Sequence, residues 1–142
     1  MHQAAMTLAP GSDVFIGCAA VADYRAADIA EQKIKKQGDE MTLTLVKNPD
    51  IIADVAALTA QRPYTVGFAA ETQDVAQYAQ GKLKNKGLDM ICANDVSQAG
   101  IGFNANDNAL TLFWDKEQQS LPLASKSELA LTVVKAIAGK LN

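Results

Sequence analysis

Histidine is almost missing from this chain: His2 is the sole one, and it stands next to the first residue. Nucleophilic chemistry through an imidazole-activated serine or cysteine is therefore unsupported. Cysteine is scarcely commoner. Cys18 and Cys92 lie in the apolar runs GCAAV and MICAN, with no CxxC or Cys/His spacing between them. That pattern argues against a zinc site or a disulfide framework, and two buried thiols of a reducing cytoplasm are expected instead. Basic residues are not in excess, at 13 Lys and Arg against 16 Asp and Glu, so the footprint of a nucleic-acid binder is lacking. No apolar run approaches the ~20 residues that span a bilayer, and no basic stretch leads into a hydrophobic core as in a signal peptide. Neither a Walker A motif nor a GxGxxG fingerprint occurs, which weakens a dinucleotide oxidoreductase reading. A cytoplasmic domain without nucleic-acid or membrane partners is the expectation.

What is present is an alternation of strands and helices. The 142 residues suit one domain spanning 1–142. MHQAAMTLAPGSD reads as the end of a helix running into a Pro10-Gly11 turn. Val14 to Val21 is nearly all apolar, the pattern of a strand buried on both faces. A polar connection from Asp23 to Asp39 follows, and then Met41 to Leu45 alternates apolar and polar residues, predicting a strand with one wet face. Asn48-Pro49 predicts a helix start, with Asn48 as cap and Ile51, Ile52, Val55 and Leu58 at helical spacing. Tyr64 to Ala70 predicts a buried strand. Thr72 or Asp74 opens a helix that Gly87 closes. Met90 to Ala93 predicts a short strand, Ser97 to Asn108 a loop, and Ala109 to Trp114 another strand. Ser125 and Glu128 form a capping box for a final helix carrying Leu129, Val133, Ala136 and Ile137 on one face. The fold class is α/β, with a mostly parallel, Rossmann-like sheet flanked by helices.

Several residues are candidates for chemistry. Asp23 ends the first apolar run, and ligands of open α/β sheets bind at the carboxyl ends of strands. It reads equally as a turn residue or as an acceptor for a sugar hydroxyl, a base amino group or a Mg2+-bound water. Lys33, Lys35 and Lys36 form a basic run close behind, either a solvated face or point charges for phosphate. Lys47-Asn48-Pro49-Asp50 places a helix start after a strand, where backbone amides attract anions. Phe68 is a core residue or a platform for a base. Glu71 reads as a surface or cap residue. Lys82 and Lys86 share one helical face with each other, near Lys84. Lysines, amides and one carboxylate suit phosphate-centred chemistry by positioning and charge stabilisation.

In order, AAVADYR, KIKK, VKNPDI, VGFAAE, KLKNKGLD and ICANDVS resemble phosphopantothenoylcysteine synthetase, from about Ile16 to Trp114. In bacteria this is usually the C-terminal part of a bifunctional coenzyme A biosynthesis protein. The resemblance implies a phosphopantothenate–cysteine ligase that dimerises. CTP activates the 4′-phosphopantothenate carboxylate as an acyl-cytidylate, releasing pyrophosphate, and the L-cysteine amine then attacks to give the amide and CMP. By position, the family's CTP contacts fall on Gly17, Cys18, Ala19, Asp23, Lys33, Pro49, Asp50, Ile51, Ile52, Phe68, Lys82 and Lys86, with Lys33 the catalytic candidate. Mg2+ is expected with the nucleotide rather than in a dedicated protein metal site, and FMN only in a decarboxylase domain upstream. The alternating strand after KIKK resembles the part that pairs with a second subunit. The family's glycine-rich SxxSSGxxG-like run, which helps bind phosphopantothenate, has no counterpart here, so the chain reads as the nucleotide-binding remainder of a longer protein. The alternative function is a noncatalytic nucleotide-binding or dimerisation module.

Overall fold

In the computed structural model, residues 1–36, 38–97 and 105–141 are described. The chain opens with helix α1 (His2–Leu8) and strand β1 (Val14–Gly17). Two short strands, β2 (Tyr24–Ala26) and β3 (Leu45–Lys47), pair with each other as a separate antiparallel ribbon. Helix α2 (Ile51–Ala56), strand β4 (Tyr64–Glu71), helix α3 (Val75–Asn85) and strand β5 (Met90–Asp95) follow. The hairpin β6 (Asp107–Trp114) and β7 (Glu117–Ser125) leads into α4 (Lys126–Leu141). The main sheet has the order β1-β4-β5-β6-β7. The first three strands are parallel and β6 is antiparallel to both neighbours, so among the described strands four of the five point one way. This is the expected α/β architecture.

The apolar run of β5 is explained by its two faces. Met90 and Cys92 join Leu112, Leu129, Val133 and Ile137 in a core beneath α4. Ile91 and Ala93 point the other way, into a second core with Ala79, Leu83 and Phe113 beneath α3. A strand covered on both sides needs no polar alternation. Burial pushes the Cys92 thiol up to about 12, leaving it an inert core residue. The expected capping box at α4 is present: Glu128 accepts from the Ser125 amide at 3.1 Å, and the Glu128 amide donates to Ser125 Oγ at 3.3 Å.

Several expectations need correcting. β1 ends at Gly17, not Val21, and it is an edge strand whose Ile16 is 41% exposed. After the Gly17–Gly67 pair the chain leaves the sheet, while β4 continues alongside β5 to Glu71–Asp95. Cys18 lies beyond that departure and is exposed, not buried. The alternating segment forms its strand at Leu45–Lys47, and Met41 and Leu43 lie outside it. The partner β2 offers only three residues, Tyr24 to Ala26, to pair with. Strand β7 fills a stretch where no element was expected, and Pro122 lies within it. As the last strand of the sheet, β7 can carry a residue without an N–H. The loop expected over Ser97–Asn108 falls partly outside the described residues, and its last two positions belong to β6.

Gly17 and Gly67 are register partners beneath α2. A Cβ at Gly17 would lie 2.8 Å from Ile52 Cδ1, and one at Gly67 would lie 2.8 Å from Leu88 Cδ1 and 3.2 Å from Ile52 Cδ1. The two glycines let α2 settle onto the sheet. Because the nearest atoms are ends of flexible side chains, Gly17→Ala is expected at the low end of the ~1–3 kcal/mol overpacking range and Gly17→Val near the top. Urea midpoints for the two variants test this ordering. Equal midpoints for wild type and Gly17→Val would show that Ile52 has room to spare. Among the described residues, no helix is long and apolar enough to cross a membrane.

Candidate nucleotide-binding cleft

A cleft of about 600 Å³ opens where β1 leaves the sheet. One wall is the segment from Gly17 to Asp23, rich in alanine. A second is the start of α2, Lys47 to Ile52. The helix α1 and its C-cap contribute Ala4, Ala5, Leu8 and Ala9, and α3 and its C-cap contribute Lys82 and Lys86. Gly67 and Phe68 come from β4, with Phe68 40% exposed at the surface of the sheet.

Of the residues nominated from sequence, Gly17, Cys18, Ala19, Asp23, Pro49, Asp50, Ile51, Ile52, Phe68, Lys82 and Lys86 all line this one cleft. They come from four separate stretches of chain, which the parallel β1–β4 pairing brings together. Lys33 does not join them. It is exposed on the long connection between β2 and β3 and is not part of the lining.

The electrostatics of the cleft rest on two ion pairs. Lys86 Nζ lies 2.8 Å from Asp50 Oδ2, and Lys82 Nζ lies 2.6 Å from Glu71 Oε1. Each lysine is thus held in one place but still partly exposed, which suits a cation that must meet an anion. At Asp50, burial pushes the carboxyl up, but the Lys86 ammonium and the Ala53 amide outweigh it and hold the group below its ordinary value. Although Cys18 is exposed as a residue, the protein atoms around its sulfur partly desolvate the thiol and push it up, favouring the neutral, poorly nucleophilic form.

The helix cap is not Asn48. Asp50 fills that place, accepting from the Ala53 amide at 3.2 Å. The reason is geometric. Pro49 follows Asn48 directly, and the helix begins only at Ile51, which puts Asp50 three residues before Ala53. With only six residues α2 carries a small dipole, so the positive character of the cleft comes mainly from the lysines.

Asn48 instead spans two walls. Its amide donates to Asp23 O at 2.7 Å, its Nδ2 donates to Ala22 O at 2.7 Å, and its Oδ1 accepts from Arg25 Nη1 at 2.9 Å. Sequence reading missed this role, the partnership of Glu71 with Lys82, and the wall formed by α1. For α1 a signal existed: Met1, Ala4, Ala5 and Leu8 repeat at helical spacing. For Arg25 and Glu71 none did, because their partners are 23 and 11 residues away.

The sequence profile described as the DNA/pantothenate metabolism flavoprotein C-terminal domain matches residues 1–141. Over 139 residues the chain is 66% identical to the coenzyme A biosynthesis bifunctional protein CoaBC of Vibrio cholerae, covering 96% of this chain and 35% of that protein. It is 40% identical to the protein of the same name in Bacillus subtilis, covering 97% and 34%. The chain therefore spans about a third of the length of these curated relatives. Among solved structures, a crystal structure of the C-terminal domain of CoaBC superposes with a TM-score of 0.76 at 30% identity, covering 99% of this chain and 60% of that one. The DNA/pantothenate metabolism flavoprotein of Streptococcus pneumoniae superposes with a TM-score of 0.76 at 21% identity, a likeness of fold. With a family profile matched over residues 1–141 and a fold shared over nearly its whole length, this chain belongs to the DNA/pantothenate metabolism flavoprotein C-terminal domain family.

Proposed function

We propose that this chain is the CTP-binding part of a phosphopantothenate–cysteine ligase of coenzyme A biosynthesis. The observation that carries the reading is the convergence of eleven of the twelve sequence-nominated nucleotide contacts on one cleft. The names of the relatives supply the pathway. In this reading the 4′-phosphopantothenate carboxylate attacks the α-phosphorus of CTP, and the P–O bond to pyrophosphate breaks. The cysteine amine then attacks the acyl carbon, forming the amide and releasing CMP.

The residues fit these tasks. Asp23 and the alanine-rich wall receive the nucleoside, and Phe68 offers an exposed ring for the base. Lys82 and Lys86 neutralise the phosphates. Among the described residues no three acidic, histidine or cysteine side chains gather as a metal cage. A Mg2+ ion that travels with the nucleotide needs fewer protein ligands, since one or two carboxylates beside the phosphates are usual, and Asp23 lies on the cleft wall. That ion would offset phosphate charge. Lys33 enters the reading as the charge that steadies departing pyrophosphate, provided the connection that carries it comes over the cleft. A Lys33→Gln variant with the same CTP affinity as Lys36→Gln would remove it.

Ligand-induced thermal shift tests the reading. CTP with Mg2+ is expected to raise the melting temperature, by the linkage between binding and folding, and NAD is expected to leave it unchanged. A chain that responds to neither is an interaction module.

The partner arrangement in this reading is a symmetric dimer. Ile29, Ile34, Met41 and Leu43 are exposed along the connection between β2 and β3, with Ile29 at 92%, and Leu45 is exposed at the start of β3. Such a concentration of open apolar side chains marks an interaction surface. Sedimentation is expected to show a dimer that Leu43→Glu converts to monomer. Wild-type monomer at high micromolar concentration would contradict this.

A further inference from the structure

We infer that Arg25 and Asn48 form a brace that sets the width of the cleft, making them positioning residues for the nucleotide. This rests on the proposed nucleotide reading of the site. Arg25 does not line the cleft. Its Nη1 donates both to Lys47 O at 3.1 Å and to Asn48 Oδ1 at 2.9 Å. The Asn48 amide group then donates onward to Ala22 O, and the Asn48 backbone N–H donates to Asp23 O. One side chain therefore has both its carbonyl and its amino group committed, each to the segment opposite its own.

The consequence follows from where the bonded atoms sit. Ala22 and Asp23 are the end of one wall, and Lys47 and Asn48 lead directly into the other. Away from the brace, the backbone hydrogen bonds seen among the described residues between these two stretches are the three-residue ladder of β2 with β3 and the bond from the Ala27 amide to Thr44 O. A ribbon that short is marginal by itself. Without the brace the wall bearing Asp23 and the helix start bearing Asp50 are free to separate, and a nucleoside that must touch both loses affinity. Pro49 adds to the effect by fixing φ immediately after Asn48, so the position of the Asn48 side chain is transmitted to Asp50 with little slack.

The brace acts on cleft shape rather than on charge, and this sets it apart from the lysines. Removing Arg25 is expected to weaken CTP and cytidine alike, whereas removing a phosphate-binding lysine weakens CTP alone. The two brace residues also act as a unit, so the second substitution should add little to the first.

The experiment is calorimetric binding of Mg-CTP and of cytidine to wild type, Arg25→Met, Arg25→Lys, Asn48→Ala and the Arg25→Met/Asn48→Ala double variant. Amide hydrogen exchange at Asn48 is followed in parallel. The loss of one or two hydrogen bonds predicts roughly 5- to 30-fold weaker binding of both ligands to Arg25→Met. Arg25→Lys should recover most of this, since an ammonium reaches the same two acceptors, and the double variant should resemble the worse single. Exchange at Asn48 should quicken in Arg25→Met. Wild-type affinity for both ligands in Arg25→Met, or fully additive losses in the double variant, would overturn the inference. If wild type binds neither ligand, the nucleotide reading fails. The brace is then judged by exchange alone, and an unchanged Asn48 amide in Arg25→Met would overturn it.

Discussion

Replacing Lys86 with glutamine is expected to weaken CTP binding roughly 10- to 150-fold while leaving cytidine unaffected. The magnitude is that of one charge-assisted hydrogen bond, about 1.5–3 kcal/mol, read as an affinity ratio. The contrast between the two ligands follows from position. Lys86 reaches the cleft from α3 and is held beside the α2 start by Asp50, on the side where the phosphates are proposed to lie. Fold stability should change little, because a half-exposed ion pair contributes about 0–1 kcal/mol.

The pH dependence of that small stability difference has a definite sign. The folded Asp50 carboxyl titrates below its ordinary value, so its contribution is present above the ordinary carboxylate range and is lost as pH falls through the folded value. Lys86→Gln removes the Lys86 contribution and leaves the Ala53 amide and the Lys47 charge holding the carboxyl down. The difference between wild type and variant should therefore be largest near neutral pH and vanish in acid. Urea unfolding across that range checks the sign. A difference that grows in acid would show that Lys86 stabilises the fold by some route other than Asp50.

The largest effect on stability away from the cleft is expected at Arg62. Its Nε donates to Ala56 O at 2.7 Å, Nη1 to Asp89 Oδ2 at 2.8 Å, and Nη2 to Gly87 O at 2.9 Å. The same Asp89 oxygen accepts from the Thr65 amide at 2.6 Å. One guanidinium thus ties the end of α2, the turn after α3 and the start of β4. Arg62→Ala leaves two carbonyls and a carboxylate to find water in a half-buried site. The expected loss is about 2–3 kcal/mol, kept at this level because both partners are near one-third exposed. For a domain of this size that lowers the melting temperature by roughly 6–12 °C. CTP affinity should stay within about twofold, since additivity holds for independent, distant sites. A loss below about 1 kcal/mol would mean that the three segments are held by packing alone.

The elements most legible in the sequence were those governed by local rules. The α4 start followed from Ser125 and Glu128, three residues apart, and β5 from an apolar run long enough to fill two cores. The boundary of β1 was not legible, because the run from Val14 to Val21 stays apolar after the backbone has left the sheet. Those residues are apolar since they wall a cleft, and periodicity does not separate a cleft wall from a core. Asn48 was misread for a related reason: its capping propensity is real, but Pro49 displaced the helix start and Asp50 took the cap. At the site, eleven residues of the cleft were named through the resemblance, Asp50 among them, but neither its pairing with Lys86 nor that of Glu71 with Lys82 was legible. Ion pairs such as Lys82–Glu71 depend on how α3 lies against β4, which no local pattern encodes. Lys33 is the opposite case, a residue with a clear motif that lies outside the cleft it was assigned to.

The central claim is that nucleotide binds in the cleft where β1 leaves the sheet. Amide hydrogen exchange of the chain with and without Mg-CTP tests this most directly. The account predicts slowed exchange across residues 17–23, 48–53 and 82–86, with residues 61–64, at the other end of the parallel strands, unchanged. Protection confined to other regions, or no protection at saturating CTP, would contradict it.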